Sequence, residues 1–338
     1  LAKNIAIVGA TGVVGQTLLQ VLAERNFPLG EVRLLASGRS AGKKYNFRGQ
    51  ELTVAEARAE AFSGVDIAFF CASGEVARAL APAAVASGAV VIDNSSAFRL
   101  DEDVPLIVPE INAGAISNHR GIIANPNCST IIMAVALKPL YDAVGLKRVV
   151  VSTYQAVSGA GIEAVEELKE QVIAFAQGKT VAAKILPAAA AEKHYQVAFN
   201  VIPQVDLFVE HGYTKEEWKM VYETRKIFGD NSIAITATTV RVPVMWCHSL
   251  SMNVETVQPL SVKQARELLR NSPGLILLDD IENQIYPMPI DFPDSDEVFV
   301  GRLRQDFSQP NAFNLWAVGN QLRKGAASNA VQIAEILK

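Results

Sequence analysis

A buried strand that runs straight into three spaced glycines and then into a helix leaves a chain few folds to choose from. Residues 4–8, NIAIV, are apolar and β-rich, GATGVVG follows at 9–15, and a helix with apolar spacing runs from Val13 to Arg25. Further buried strands are expected at 31–36 (EVRLLA), 65–72 (VDIAFFCA), 89–94 (AVVIDN) and 121–125 (GIIAN), and EVARALAPAAVASG reads as a crossover helix. Continuous apolar strands alternating with helices predict a Rossmann-like parallel sheet covered on both faces.

In that setting GxxGxxG is a variant of the dinucleotide fingerprint. Glycine lets the backbone turn tightly and approach a pyrophosphate, and the helix start adds free N–H groups and a positive dipole end. The cofactor candidates here are Gly9, Thr11, Gly12, Val13, Val14 and Gly15. An NAD site usually ends its second strand in Asp or Glu, which bonds the ribose hydroxyls. This chain instead reads ASGRSAGKK at 36–44. Ser37, Arg39 and Ser40 suit a 2′-phosphate better than a diol, so NADP is expected over NAD. The competing reading is a solvated basic loop.

Past residue 128 the texture changes. A helix at roughly 129–143 precedes the strand RVVVSTYQAVS and the helix GIEAVEELKEQVIAFAQG, and a loop-rich stretch then runs from 179 to about 215. Strands follow at SIAITATTVRV, MWCHSLSMNVETV, LILLDD, EVFVGRLRQ and AFNLWAVGN, with one helix, SVKQARELLRNS, among them. Grouped strands with few crossovers predict an α+β unit with a mainly antiparallel sheet. The expected domains are 1–127 for the cofactor and 128–319 for catalysis and dimerisation, with a helix from about 320–338 completing the first.

Composition narrows the function. The net charge is -4, and no basic block is interleaved with aromatics, which argues against nucleic acid. No apolar run approaches the roughly 18 residues of a membrane span. The N-terminal residues run into a strand without a charged n-region, so no signal peptide is expected. Three widely spaced cysteines suit neither a disulfide framework nor a metal site, and fit a reducing, cytoplasmic setting.

Cys128 stands apart from Cys71 and Cys247. It lies in Asn125-Pro126-Asn127-Cys128-Ser129-Thr130, after one strand and before a helix. Pro126 keeps Asn125 extended, and a thiol at a helix N-terminus is acidified by the dipole and the free N–H groups. The same groups can hold an oxyanion. A cysteine nucleophile needs a base, and the chain has four histidines. His119, His194 and His211 fall in turn-like or loop-like segments, whereas His248 lies within the strand MWCHSL and is the best candidate. Arg241, seven residues earlier, would face the other side of one unbroken strand, but Pro243 offers a break. An arginine in so apolar a run needs an anion, either a substrate carboxylate or an internal acid.

These segments together resemble the aspartate-semialdehyde dehydrogenase family. The resemblance is carried by GATGVVG, SSAFR at 95–99, VPEIN at 108–112, PNCST at 126–130, QAVSGAG at 155–161, ETRKI at 223–227, RVPVMWCHS at 241–249 and GNQLRKGAA at 319–327. It spans essentially the whole chain and is nearest to the shorter, Gram-positive-like bacterial branch. It implies that L-aspartate 4-semialdehyde, inorganic phosphate and NADP interconvert with 4-phospho-L-aspartate and NADPH, in lysine, diaminopimelate, threonine and methionine biosynthesis. By the same resemblance Cys128 forms a thioester, His248 is the acid/base, Gln155 orients the substrate and Asn127 orders the nucleophile's turn. Arg241 and Glu223 would clamp the substrate's carboxylate and ammonium, and Arg99 and Lys226 its phosphate. Ser73, Gly74, Ser158, Gly159, Gln321 and, more weakly, Asn320 would lie around the cofactor, and the family implies a homodimer. Rival readings are an N-acetyl-glutamyl-phosphate reductase, whose nucleophile motif differs from PNCST, and a catalytically silent NADP-binding paralogue.

Overall fold

The computed structural model describes residues 2–337; residues 1 and 338, the outer ends of the expected domain bounds, lie outside the described residues. The chain divides into two compact units. One runs to Asn127 and resumes at Gly325; the other is Cys128–Lys324.

The first unit is built on a six-stranded, all-parallel sheet. Its elements are β1 (Lys3–Val8), α1 (Val13–Glu24), β2 (Leu29–Ala36), β3 (Lys44–Phe47), β4 (Gln50–Thr53), β5 (Ala55–Glu56), β6 (Ile67–Phe70), α2 (Gly74–Ala86), β7 (Val90–Asp93), α3 (Pro109–Asn112) and β8 (Ile122–Ala124). The order β5-β2-β1-β6-β7-β8 places the first strand between β2 and β6. The chain therefore leaves β1 in opposite directions on its two sides, and ligands of such sheets bind beyond the carboxyl ends at that point. The strands are apolar on both faces because helices cover both: Ile5, Ile7, Leu34, Ile67, Phe69 and Ile92 share one core with Leu18 and Leu22 of α1. Ala330, Val331, Ile333 and Ala334 of the C-terminal helix (Ser328–Glu335) enter the same core. The β3–β4 hairpin was not expected from the sequence. It turns through Arg48 and Gly49, both at positive φ.

The second unit contains α4 (Cys128–Val144), β9 (Leu146–Gln155), α5 (Ile162–Ala176), α6 (Lys215–Phe228), β10 (Ala234–Arg241), β11 (His248–Thr256), α7 (Val262–Arg270), β12 (Leu275–Leu277), β13 (Val298–Gln305) and β14 (Ala312–Gly319). Its sheet, in the order β10-β9-β11-β14-β13-β12, is mixed: three pairings are antiparallel, while β10/β9 and β12/β13 are parallel. Helix α4 is apolar all round and correspondingly buried from Ser129 to Leu137.

Two local features depart from the sequence reading. Helix α6 fills a stretch to which no element was assigned. Its buried side carries Glu216, Glu217 and Glu223 beside Met220, Val221 and Ile227, so no clean apolar stripe marks it. It starts at a capping box, Thr214 with Glu217, and ends at the left-handed Gly229. The strand expected to contain His248 in fact begins there. Cys247, at φ +64, turns the chain immediately before it. No helix among the described residues is long and apolar enough to cross a membrane.

Candidate active site

In the first unit, the glycine loop closes at the carboxyl end of β1. Gly9 adopts φ +82, and any Cβ there would run into the Cys71 carbonyl oxygen. A Cβ on Gly15 would lie 2.5 Å from the Gly9 carbonyl oxygen and 2.8 Å from the Ala10 Cα. Both glycines are thus required by close backbone approach. Gly12 precedes α1 without a side-chain cap, and the first turn, Val13 and Val14 included, holds no acidic residue. Its N–H groups thus meet neither a capping side chain nor a local negative charge, which fits an anionic pyrophosphate.

After β2, Gly38–Ser40 forms a short 3-10 turn that follows Ser37 and exposes Arg39. Ser40 reaches back to the loop, where Thr11 Oγ1 lies 3.5 Å from its Oγ. Hydroxyls and a guanidinium at the mouth of the same loop suit a phosphate. Across β1, Ser73 caps α2 and accepts from Val76 N at 3.5 Å, and Gly74 packs against Ala97.

Arg99 is buried in this unit with its side chain anchored by main-chain oxygens. Nε donates to Asn125 O (2.9 Å) and Nη2 to Asn94 O (2.7 Å). Those two asparagines are themselves linked, Asn125 Nδ2 donating to Asn94 Oδ1, while Asn329 Nδ2 donates to Asn125 Oδ1 at 2.7 Å. A ladder Asn94–Asn125–Asn329 therefore ties the ends of β7 and β8 to the C-terminal helix behind the arginine. The nearby Asp93 is buried, which raises its carboxyl above the usual range against the opposing pull of Ser95, Arg99 and Arg78. Asn127, which ends the first segment of the unit, is also buried.

In the second unit, three strand ends meet. Arg241, last in β10, pairs in register with Gln155, last in β9, and His248 opens β11. The break between Arg241 and His248 lets both side chains reach the turn after β9. Arg241 Nη1 donates to Ala156 O at 2.6 Å, and His248 Nδ1 accepts from Ala156 N at 3.0 Å. Gly159 completes the turn: a Cβ there would lie 3.2–3.3 Å from His248 Cε1 and Nε2 and from Arg241 Nη1. Arg241 Nε and His248 Nε2 are buried with no hydrogen-bond partner among the described residues. Of these two atoms, His248 Nε2 lies beside Gly159, and a buried polar atom left without a partner is suited to meet a ligand.

Electrostatics tie Cys128 to this cluster. It is the first residue of α4 and half-buried. Burial works against the charge on Arg241, and the charges of Glu216 and Cys128 offset it. Burial and the Arg241 charge together push His248 down to about 3, opposed by Glu216. Gln155 donates from Nε2 to Ser129 Oγ (2.9 Å) and to Glu216 Oε1 (3.2 Å).

The acid whose charge bears on Arg241 and His248, and which meets Gln155, is Glu216, a residue the sequence reading did not single out. Glu216 also meets Lys219 at 3.2 Å, and Lys219 in turn meets Asp206 at 2.9 Å. Glu223 and Lys226 repeat the same Glu-x-x-Lys spacing seven residues, or two turns, further along α6. The two pairs share a helix face, and spacing alone cannot separate them. The cue that could have done so is the Thr214–Glu217 capping box, which places Glu216 in the first turn.

Around the same turn, Ser158 Oγ donates to Met245 O and accepts from Gln321 Nε2 at 2.5 Å, which leaves Gln321 Oε1 buried without a partner among the described residues. Asn320 is otherwise engaged. Its Nδ2 donates to Pro293 O, and its Oδ1 accepts from Leu322 N and Arg323 N, so both ends of the amide hold the backbone.

Of the other histidines, His194 also has a buried Nε2 without a partner among the described residues, so burial alone does not single out His248. His119 Nδ1 accepts from Gly121 N, and His211 sits in an exposed left-handed turn. Burial pushes the Cys71 and Cys247 thiols up to about 12, leaving neither suited to attack. Among the described residues no group of three or more His, Cys, Asp or Glu is placed to hold a metal.

The chain matches two family models, "Semialdehyde dehydrogenase, NAD binding domain" over residues 4–119 and "Semialdehyde dehydrogenase, dimerisation domain" over residues 137–324. It is 54% identical to an aspartate-semialdehyde dehydrogenase of Aquifex aeolicus, covering 100% of this chain and 98% of that protein. It is 52% identical to one of Bacillus subtilis, covering 99% and 97%, so the likeness extends beyond the Gram-positive branch. The crystal structure of aspartate semialdehyde dehydrogenase II from Vibrio cholerae superposes with a TM-score of 0.95 at 48% identity, covering 100% of this chain and 98% of that one. A glycine-looped parallel unit and a thiol unit, each matched by its own family model along a full-length likeness, establish that the chain belongs to the aspartate-semialdehyde dehydrogenase family.

Proposed function

We propose that this enzyme interconverts L-aspartate 4-semialdehyde plus inorganic phosphate with 4-phospho-L-aspartate, using NADP and a thioester on Cys128. The observation that carries the reading is the buried group of Arg241, His248 and Glu216 around the Gln155–Gly159 turn, with the Cys128 charge bearing on Arg241. The substrate carries a carboxylate and an ammonium, and a buried cation and a buried anion are the complementary pair. Arg241 takes the carboxylate and Glu216 the ammonium. Gln155, with its Nε2 donating to Ser129 and Glu216, presents Oε1 as an acceptor. Arg99, rigid on its carbonyl anchors, is the first unit's candidate for phosphate.

The cofactor, when bound, accepts or supplies hydride. Gly9, Gly12, Gly15 and the start of α1 would hold its pyrophosphate, and Thr11, Ser37, Arg39 and Ser40 its 2′-phosphate. Ser158 and Gln321, the latter with an unpartnered buried carbonyl, are proposed to orient its amide end. Cys128 adds to the aldehyde carbon, the adduct becomes a thioester once hydride has left, and phosphate displaces the thiolate. The protein is further proposed to work as a homodimer in the cytoplasm. Tyr154 and Trp316, with ring centroids 5.3 Å apart, and the exposed Tyr286 and Met288 offer an apolar surface on the second unit, whose family model is a dimerisation domain.

The test is phosphate-dependent reduction of NADP with aspartate semialdehyde, measured for the wild type and for Cys128→Ser. Activity should vanish in the variant. Turnover of N-acetylglutamate semialdehyde alone would make the substrate assignment wrong. Replacing Arg39 and Ser40 with apolar residues should weaken NADP binding and spare NAD; equal losses would remove the 2′-phosphate argument.

A further inference from the structure

Helix α5 carries two polar side chains on the face it buries. Glu167 and Gln171, one turn apart and 6% and 2% exposed, lie among Ala164, Val165 and Leu168. Buried polar side chains persist where they have partners, and these two find theirs in main chain. Glu167 Oε2 accepts from Lys184 N at 2.8 Å, and its Oε1 accepts from Gln171 Nε2 at 3.3 Å. Gln171 Nε2 also donates to Ala182 O at 2.9 Å. Its Oε1 accepts from both Val197 N (2.9 Å) and Ala198 N (3.0 Å). The described residues between Ala176 and Glu210 form no helix or strand, so no ladder satisfies the buried amides of Val197 and Ala198. The two side chains of α5 do that instead.

The stretch they hold leads to Arg241. Ile202 N donates to Arg241 O at 3.0 Å, and Arg241 N donates to Ile202 O at 2.8 Å. Strand β10 is at the edge of its sheet, with β9 on its inner side. Ile202 therefore closes the outer side of its last residue. Leu186, Val197, Ala198 and Ile202 share a core with Val157, and Trp246 packs against it. Val157 belongs to the turn that receives the Arg241 side chain, so the stretch meets both the backbone of the arginine and the turn that anchors it.

We propose that Gln171 is a positioning residue for Arg241, setting through the 197–202 segment where the guanidinium meets the substrate carboxylate. This rests on the reading that Arg241 takes that carboxylate. Arg241 Nη1 is anchored on Ala156 O, while Nε has no partner among the described residues, so the aim of the guanidinium depends on where its backbone stands. Without Gln171 two buried N–H groups lose their acceptor, and the segment relieves the cost by moving toward water. Ile202 moves with it and draws on the end of β10. A planar fork matched to a carboxylate loses much of its hold when displaced by a fraction of an ångström. Glu167 completes the device by tying Lys184 to the same helix face. A side chain that merely held a loop would weaken all substrates alike.

The test compares kcat/KM for aspartate semialdehyde with that for β-aminopropionaldehyde, which keeps the aldehyde and the ammonium and lacks the carboxylate. The ratio of the two reads carboxylate recognition, and any general loss of active enzyme divides out. In Gln171→Ala the ratio should fall about tenfold, with KM for the semialdehyde raised and kcat within about threefold of wild type. Exchanging the pair, Glu167→Gln with Gln171→Glu, keeps an acceptor for Val197, Ala198 and Lys184, and should restore the ratio to within about twofold. Should Gln171→Ala fail to fold, Gln171→Glu, which keeps the acceptor but sets two carboxyl groups together, is read in the same way and should lower the ratio about threefold. Arg241→Ala checks the reading beneath, and there the ratio should fall about 100-fold. An unchanged ratio in Arg241→Ala overturns that reading and the inference with it. A ratio that falls in Arg241→Ala but keeps its wild-type value in the Gln171 variants, or that the exchange does not restore, overturns the inference alone.

Discussion

The two functional regions of this chain are built in opposite ways. The cofactor loop is one stretch, Gly9 to Gly15, in which backbone packs on backbone with no room for a Cβ at either end. The thiol region gathers Cys128, Gln155, Gly159, Glu216, Arg241 and His248 from three strand ends, one turn and two helices. A contiguous site depends on backbone geometry and should fail at a single position. A gathered site depends on side-chain chemistry and should degrade part by part.

The sharpest break in that comparison comes from Gly15→Ala. The added methyl would meet the Gly9 carbonyl and Ala10 backbone, neither of which can swing aside. NADP affinity, followed by fluorescence titration, should fall about 100-fold, while iodoacetamide still labels Cys128 at the wild-type rate. A loss of thiol reactivity in the same variant would mean that the regions are not separable.

The gathered site should respond more mildly to its own glycine. In Gly159→Ala the methyl lies 3.2–3.3 Å from His248 and Arg241, and both are pinned by Ala156. Steady-state kinetics should show kcat lower by about 30-fold with cofactor affinity unchanged. Activity equal to wild type would show that the space before Nε2 is not used.

Smaller still is the effect that separates the two Glu-x-x-Lys pairs. Glu216→Gln should raise KM for the semialdehyde by about tenfold, through loss of one charge partner of the ammonium. Glu223→Gln should leave that KM within about twofold. The reverse ranking would return the acidic role to Glu223.

The least of these effects concerns stability rather than rate. His248 is held well below its unfolded value, at about 3, so the unfolded chain binds the extra proton first as pH falls. Stability is full above the unfolded pKa of about 6.5 and declines on acidification toward the folded value. At pH 5 the loss should be about 2 kcal/mol, read by urea denaturation, and His248→Gln should remove that part of the pH dependence. A variant with the same acid slope would place the sensitivity elsewhere.

How far the sequence could be read follows from the same contrast. The parallel sheet was legible because its strands are covered on both faces and appear as unbroken apolar runs. Helix α6 was not, because three glutamates lie on its buried side and erase the periodic signal. Cys128 could be singled out from its flanking Asn125-Pro126-Asn127, since the helix start and the residue before proline are local effects. Glu216 could not be chosen over Glu223, because a two-turn repeat places both on one face. The Asn94–Asn125–Asn329 ladder joins residues 204 apart in sequence and left no trace in any one segment.

By itself, then, the sequence determined where the backbone must turn: at Gly9, Gly12 and Gly15, and before the helix that Cys128 opens. Those are consequences of sterics and dipoles over a few residues. Only the tertiary structure decided which acid sits by Gln155 and how the chain breaks at Cys247 to bring Arg241 and His248 to one turn. That turn presents the Ala156 N–H to His248 Nδ1 from 92 residues away in sequence, and no local pattern encodes where a distant peptide will point.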